Sequence, residues 1–275
     1  MTRGSIAPDG RAAPRPSLLA GLLPQHDVVR ALILRELQSR FGRNNIGYLW
    51  MIAEPMMLAS VITMLHFVVH IGYQAPGMGP YPFTLLGYCL FIVFRNSFNR
   101  SEGVIEASKS VFYHAQITPL DLMLAKMIVE TIGVLSALII LMAIGILAGV
   151  AEVPARPLCV FAAILAISSW TFGLALIIAA HTTTNHVLGH LVHPFSYFMV
   201  PLSGAFMTMA FLPGWAQRAM AWNPMMAMFE LARFGYFHVA TDRYVYPLYI
   251  LVHCAIAIGW GLLAIRRVRS QIHVG

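Results

Sequence analysis

Long apolar runs alternate with short polar connections along this chain. A helix that crosses a lipid bilayer needs about 20 mostly apolar residues, and the apolar runs approach or exceed that length. They cover residues 47–71, 82–98, 118–150, 157–180, 191–210 and 246–265. The pattern therefore predicts an all-α integral membrane protein with six transmembrane helices in residues 47–275.

A different, amphipathic pattern precedes the first apolar run, in residues 25–46. Four apolar side chains recur every fourth position and form one helical face: Val29, Ile33, Leu37 and Phe41. The charged residues Arg30, Arg35, Glu36 and Arg43 lie largely outside that face. A basic amphipathic helix beside a membrane span is typical of a helix that lies in the plane of the membrane surface. We expect such an interfacial helix here.

Residues 211–243 follow neither pattern. Pro213-Gly214 and Asn223-Pro224 break the segment, and the helical stretches of about 8 and 14 residues that remain are too short to cross a bilayer. We expect a pair of short helices that dip into the outer leaflet or lie on it. The alternative is an ordinary amphipathic loop.

Composition supports a membrane protein and restricts its topology. Of the 275 residues, 59% are hydrophobic and 11% are charged, whereas soluble domains carry about 25% charged residues. Lysine and arginine concentrate before the first run, after the second run and at the C-terminus, which predicts that both termini are cytoplasmic. The Pro-, Gly- and Ala-rich residues 1–24 predict a disordered cytoplasmic tail. No continuous basic face suggests nucleic-acid binding.

Two stretches carry a family resemblance: "RELQSRFGRNNIGYLWMIAEPMML" at residues 35–58 and "LPGWAQRAMAWNPMMAMFELAR" at residues 212–233. The first resembles the entry to the first span in the membrane subunits of ABC-2 type polysaccharide exporters. The resemblance is strongest to the capsular polysaccharide, or KpsM-type, branch. It extends beyond about residue 25 through the spacing of the spans and a cytoplasmic helix before the third span.

This resemblance implies a homodimer in the bacterial inner membrane, whose twelve helices enclose a channel. Two copies of a separate cytoplasmic ATPase bind underneath and hold ATP and Mg, so this chain itself is expected to bind no cofactor and to be no enzyme. The in-plane helix and the loop between spans two and three contact that ATPase. The short helices before the last span form a periplasmic gate. The cargo is a lipid-linked capsular polysaccharide, which periplasmic export partners then accept.

Candidate ATPase-coupling residues lie in the basic helix and in the loop after the second run. They are Arg35, Arg40, Phe41, Arg43, Glu106 and Lys109. The loop stretch "GVIEASKS" falls one residue short of a phosphate-binding loop, and Ser108 stands where that loop needs its second glycine. We therefore interpret residues 101–114 as a short coupling helix, with ATP handled on another chain.

Candidate channel residues are mostly aromatic, because flat rings hold the apolar faces of sugars without fixing a sliding polymer in one register. The candidates are Tyr48, Trp50, Glu54, Tyr88, Phe91, Tyr197 and Phe198. Aromatic residues also crowd membrane interfaces for other reasons. Glu54, just inside the first run, is expected either to pair with an arginine such as Arg95 or to face a water-filled channel mouth.

Candidate gate residues lie in the broken segment before the last run: Trp215, Trp222, Pro224, Glu230 and Arg233. On the third run, Lys126 and Glu130 are four residues apart and can pair along the helix.

A histidine cluster forms the remaining candidate for chemistry. His186, His190 and His193 share one helical face, but no acid lies beside them in the sequence, so we predict no metal site.

Three alternatives remain open. An exporter of the same family can carry O-antigen, teichoic acid or a small drug. An ion-coupled secondary transporter would show inverted repeats with broken helices in both halves, whereas only the fifth run is broken, by Pro194 and Pro201. An intramembrane enzyme would need a nucleophile with a base or paired acids, for which the histidine cluster is the one candidate.

Overall fold

The computed structural model describes residues 18–41, 77–108 and 117–272, together with Phe112 and isolated positions between 53 and 65. This part of the chain is mostly helical and contains no strand. In chain order the helices are α1 (Leu18–Phe41), α2 (Pro80–Asn99), α3 (Val104–Ala107), α4 (Pro119–Leu147), α5 (Pro157–Thr184), α6 (His186–Ser203), α7 (Gly214–Met220), α8 (Pro224–Tyr236) and α9 (Pro247–Ile272). Short 3-10 helices occupy Met209–Phe211 and Asp242–Tyr244.

Three segments of the described chain are long and apolar enough to cross a membrane: Pro119–Leu147, Pro157–Thr184 and Asp242–Val268. The first two are helices of 29 and 28 residues, and the third segment, of 27 residues, contains α9 from Pro247 onward. A helix rises about 1.5 Å per residue, so each of the three helices exceeds the bilayer core of about 30 Å. These segments confirm the third, fourth and sixth predicted spans.

The other predicted spans are not confirmed in this way. Helices α2 and α6 lie where the second and fifth spans are expected, but they contain only 20 and 18 residues. The first predicted span, 47–71, lies outside the described residues apart from isolated positions. The total of six spans therefore stays a prediction.

The start of α4 follows directly from its sequence. Thr118 Oγ1 accepts a hydrogen bond from the Asp121 N–H, and the Asp121 carboxylate accepts one from the Thr118 N–H at 3.0 Å. This reciprocal capping box, with Pro119 in the first turn, satisfies N–H groups that a helix N-terminus otherwise leaves without partners.

Helix α6 is displaced toward the N-terminus relative to the predicted run 191–210. It begins at His186 because the Asn185 side chain caps the Val187 N–H at 3.0 Å. It ends after Ser203 because Gly204 adopts a left-handed conformation, with φ +81°. Pro194 and Pro201 lie inside the helix.

Helix α5 forms the centre of the bundle and runs parallel to α9. The Cys254 thiol of α9 donates to the Ala166 carbonyl, and a Cβ on Gly173 would lie 2.4 Å from the Ala257 carbonyl carbon. The small residues Gly173 and Gly261 thus let the two backbones approach closely. The same helix packs against α8, where a Cβ on Gly235 would lie 2.6 Å from the Val160 nitrogen.

The two short helices predicted in residues 211–243 are present as α7 and α8. They contain 7 and 13 residues, and α8 buries most of its side chains against its neighbours. Buried residues of α2 and α8 belong to one hydrophobic core. Helix α8 is therefore embedded in the bundle, whereas the sequence also allowed a helix lying on the leaflet.

Helix α1 differs from the predicted boundaries. It begins at Leu18, within residues 1–24, where a disordered tail is predicted, because the leucine-rich start favours a helix. It covers residues 25–41 of the predicted interfacial helix. Among the side chains of α1 that the structure describes, Leu32 and Glu36 are buried and Ile33 is half-buried. Arg35 is exposed, as expected.

Candidate functional site

An ion pair joins α1 to α4 at one end of the bundle. Lys126 Nζ donates to Glu36 Oε2 at 2.7 Å, and Gln25 Nε2 donates to Asp121 Oδ1 at 2.8 Å one turn of α4 earlier. The sequence pattern puts Glu36 largely outside the apolar face of the helix, but the structure buries its side chain. The carboxylate is buried because the Lys126 ammonium offsets part of its desolvation.

Lys126 and Glu130 each have a partner on another helix. Asn96 Nδ2 of α2 donates to Glu130 Oε1 at 2.6 Å, and Arg100 Nη1 lies 3.7 Å from Glu130 Oε2. The spacing of four residues suggested a pair along one helix. The structure instead uses these charges to connect α4 to α1 and to the C-terminal end of α2. We refer to this set, Glu36, Asn96, Arg100, Lys126 and Glu130, as the charged end.

Helix α3 lies within residues 101–114, where the coupling helix is predicted, and it begins shortly after Arg100 of the charged end. Val104 and Ile105 are buried in one hydrophobic cluster with Leu32 of α1 and the C-terminal half of α5. Gly103 has φ +59°, and its N–H donates to Thr182 Oγ1 at 3.2 Å. This N–H is thus engaged inside the protein, in contrast to the open N–H groups of a phosphate-binding loop. Glu106 is half-buried.

A contact that the sequence did not reveal links this turn to α6. Glu102 Oε2 lies 3.4 Å from His193 Nε2. Gly189 faces the same carboxylate, since a Cβ there would lie 2.6 Å from Glu102 Oε1. The sequence showed no acid next to the histidines because Glu102 comes from a different segment. Together with the Gly103–Thr182 bond, this contact ties the turn to both α5 and α6.

The histidines show no metal centre within the described residues. Among these side chains, no group of three His, Cys, Asp or Glu could hold a metal ion. His190 is exposed on α6. The side chain of His186 lies outside the described part of the chain.

The aromatic channel candidates divide into two sets. Tyr88 and Phe91 are 8% and 2% exposed and belong to the core of the protomer. Tyr197 and Phe198 of α6 are 58% and 64% exposed. The Arg95 guanidinium carbon of α2 lies 4.3 Å from the centroid of the Tyr197 ring.

This arrangement presents a cation and an aromatic ring on one open face. The structure thus distinguishes two candidates that are exposed on the surface of the protomer from two that are packed inside. The residues Tyr48, Trp50, Glu54, Arg43 and Lys109 lie outside the described part of the chain, as do the side chains of Arg40 and Phe41.

The gate candidates also divide into an exposed and a buried set. Trp215 of α7 and Trp222, in the turn before α8, are among the most exposed large hydrophobic residues. Pro224 is the first residue of α8, and Asn223 caps that helix and donates to the Leu202 carbonyl at 2.6 Å. The beginning of α8 is therefore attached to the end of α6.

Arg233 lies inside the bundle, and Glu230 is partly buried beside it. Arg233 is 2% exposed, and its Nη1 donates to Glu230 Oε1 at 3.1 Å. Its Nη2 donates to the carbonyls of Gly204 and Ala205, and Glu230 accepts the Met209 N–H at 3.0 Å. The guanidinium carbon is also 4.6 Å from the centroid of the Phe83 ring. This pair fixes α8 to the chain reversal that follows α6.

Most of the chain matches a known protein family. Residues 27–237 match the family model described as ABC-2 type transporter. The chain belongs to the ABC-2 type transporter family. The match begins within α1 and ends just after α8. The matched region therefore contains the charged end, the turn at Glu102 and Gly103 before α3 (the α3 turn), and the helices of the gate candidates.

Several capsule polysaccharide export and polysialic acid transport proteins are similar to this chain over most of their length. The chain is 33% identical to the capsule polysaccharide export inner-membrane protein CtrC of Neisseria meningitidis over 253 residues, which cover 91% of this chain and 94% of CtrC. It is 30% identical to the capsule polysaccharide export inner-membrane protein BexB of Haemophilus influenzae, over 90% and 93% of the two chains. The polysialic acid transport protein KpsM of Escherichia coli is 31% identical, over 78% and 83%.

Proposed function

We propose that this ABC-2 family member is the transmembrane subunit of an ATP-driven exporter that moves lipid-linked capsular polysaccharide across the bacterial inner membrane. Similarity to two capsule polysaccharide export proteins and a polysialic acid transport protein, each over more than three quarters of this chain, supports this proposal. The pair between the buried Glu36 and the partly buried Lys126 is the structural observation that carries it, because it connects a surface helix to a helix long enough to span the membrane.

The charged end and α3 form the coupling surface in this proposal. A separate cytoplasmic ATPase, present in two copies, binds ATP and Mg and contacts α1 and α3 from below. Arg35 is exposed on α1, and Ala107 is exposed on α3. The inward side of α3, with Val104 and Ile105, packs on α5. If the ATPase displaces α3, the movement is therefore transmitted to α5, which is long enough to cross the membrane.

The channel in this proposal forms between two copies of the chain. Tyr197 and Phe198 contribute aromatic faces from α6, and Arg95 adds a positive charge beside Tyr197. Aromatic rings stack on the apolar faces of sugar rings, and a guanidinium pairs with carboxylate or phosphate groups. Tyr48, Trp50 and Glu54 are proposed to complete the wall from the first span.

The gate in this proposal is formed by α7 and α8 on the periplasmic side, with both termini in the cytoplasm. Trp215 and Trp222 are exposed where periplasmic export partners or lipid can contact them. Arg233 and Glu230 hold α8 against the end of α6. A movement of α6 is therefore transmitted to α8 through buried polar contacts.

Reconstitution tests the proposed function. The chain would be purified together with the ATPase expressed from the same strain and inserted into liposomes with lipid-linked capsular polysaccharide in the outer leaflet. We expect ATP hydrolysis to rise when the glycolipid is present, and the polymer to become protected from an added glycosidase. Polymer that becomes protected without ATP, or a purified chain that binds no ATPase, would contradict the proposal.

A further inference from the structure

A groove of about 600 Å³ follows the seam between α5 and α9, near the C-terminal ends of both helices. Its lining residues in the described chain all belong to these two helices. Ligand-binding clefts in proteins commonly measure about 300–1,000 Å³. The groove is therefore large enough for part of a small amphipathic molecule, and none of its lining comes from the proposed channel helix α6.

The two walls of the groove change from apolar to polar in the same direction. On α5 the wall runs from Ile177 to His181 and Thr184, and on α9 it runs from Trp260 and Leu263 to Arg267. Because the helices are parallel, both polar ends reach the same end of the bundle. The charge count in the sequence predicts that this end is cytoplasmic.

Small side chains are among the residues that line the groove. Ala180 of α5, Ala264 of α9 and Val268 also line the groove, and Ala180 and Val268 are buried. Above the groove, a Cβ on Gly261 would lie 2.7 Å from the Gly173 carbonyl oxygen, so the helices are in close contact there. The groove is thus a cleft on the surface of a closely packed helix pair, and in a bilayer it is open to the surrounding lipid.

The exposed wall is strongly apolar. Trp260 and Leu263 are 68% and 56% exposed, so they contact whatever surrounds α9. In a bilayer their neighbours are acyl chains, while the polar end of the groove lies at the depth of the lipid headgroups. Arg267 has a contact within the protein, and its guanidinium carries five N–H donors in total.

We propose that this groove binds one anionic phospholipid of the cytoplasmic leaflet. An acyl chain lies along Ile177, Trp260 and Leu263, and the phosphate is held by Arg267, with His181 and Thr184 beside it. Charge complementarity selects an anionic headgroup, since basic sites between helices at the cytoplasmic surface are typical binding sites for such lipids. The bound lipid fastens the C-terminal half of α9 to α5.

Native mass spectrometry of the full-length protein tests this proposal. The protein would be released from nanodiscs that contain equal amounts of phosphatidylglycerol and phosphatidylethanolamine with the same acyl chains. We expect one phosphatidylglycerol per protomer to be retained. Arg267→Gln should weaken its binding about tenfold, because a charge-assisted hydrogen bond is lost. Ala264→Trp should displace it by filling the groove without changing charge.

Arg266→Gln is the matched control, because Arg266 is the neighbouring arginine and does not line the groove. It should change phosphatidylglycerol binding less than Arg267→Gln does. Equal losses in the two arginine variants would show general attraction to the basic C-terminus and overturn the site. Equal retention of the two lipids, or unchanged retention in Ala264→Trp, would also overturn it. Displacement of phosphatidylglycerol by lipid-linked polysaccharide would reassign the groove to the cargo and refute the proposal.

Discussion

Glu36 of α1 and Lys126 of α4 form an ion pair across 90 residues of sequence, with the carboxylate oxygen 2.7 Å from the ammonium nitrogen. The pair lies at the edge of the cluster that also holds Leu32, Leu122 and Met123. It thereby fixes the orientation of α1 on α4. Arg35, the neighbour of Glu36, is kept on the exposed side of the helix.

Lys126→Gln should loosen α1 from the bundle. The buried Glu36 carboxylate would lose a charged hydrogen-bond donor, an interaction of about 1.5–3 kcal/mol. We expect faster tryptic cleavage after Arg30 and Arg35, measured by limited proteolysis of the purified protein. The double variant Glu36→Lys with Lys126→Glu restores the pair and should recover part of the protection. Arg218→Gln, which removes an exposed charge on α7, should leave cleavage in α1 unchanged. Protection in Lys126→Gln equal to that in the unmodified protein would refute this role.

The contact between Glu102 and His193 should matter more for coupling than for stability. Both side chains are partly exposed, with relative accessibilities of 31% and 59%, so the contact contributes at most about 1 kcal/mol to folding. Because it connects the α3 turn to α6, Glu102→Gln should reduce glycolipid-stimulated ATP hydrolysis severalfold. The melting temperature should change little. These quantities would be measured in the reconstituted complex and by thermal unfolding.

A charge exchange separates this role from a general effect of substitution. Glu102→Lys alone should lower the stimulation, and adding His193→Glu should restore part of it. His190→Gln, an exposed histidine on the same helix, serves as the control and should have little effect. A double variant no better than Glu102→Lys would show that the two side chains do not act together.

The sequence predicted best what depends on neighbouring residues. Thr118, Pro119 and Asp121 specify the start of α4 because a capping box needs only one helical turn. The breaks at Pro213-Gly214 and Asn223-Pro224 likewise fixed α7 and α8. The ends of α6 were missed because they depend on a single cap at Asn185 and a left-handed Gly204, which a hydrophobicity pattern does not show.

Charge partners were predicted poorly because they come from distant segments. Lys126 and Glu130 are compatible with a pair on one helix, yet their partners lie on α1 and α2. Tyr88 and Phe91 have the same aromatic character as Tyr197 and Phe198, but helix packing buries the first two and exposes the others. Aromatic identity alone does not determine whether a ring faces a neighbouring helix or a ligand.

Arg233→Met should destabilise the protein strongly. Removing one member of a buried ion pair costs about 3–5 kcal/mol, and the Gly204 carbonyl would also lose its donor. We expect a clear fall in melting temperature, measured by fluorescence in detergent. Arg218→Met, the same change at an exposed position of α7, should have little effect. The double variant Arg233→Met with Glu230→Gln should be less destabilised than Arg233→Met alone, since it leaves no buried unpaired carboxylate. A melting temperature of Arg233→Met equal to that of Arg218→Met would refute the proposed role of the Arg233–Glu230 pair in holding α8.

Tyr197→Ala should impair export while assembly with the ATPase is retained. The substitution removes an exposed ring together with its contact to Arg95, and a cation–π contact is worth about 0.5–2 kcal/mol. We therefore expect export to fall by about fivefold, which corresponds to about 1 kcal/mol in the transport barrier. Tyr197→Phe keeps the ring and should retain most export. Phe161→Ala removes a ring of similar exposure, 52%, from α5 and should leave export unchanged. Capsule at the cell surface would be quantified in cells that express equal amounts of each variant. Equal losses in Tyr197→Ala and Phe161→Ala would show that the α6 face has no special part in the channel, because both variants remove a partly exposed aromatic ring.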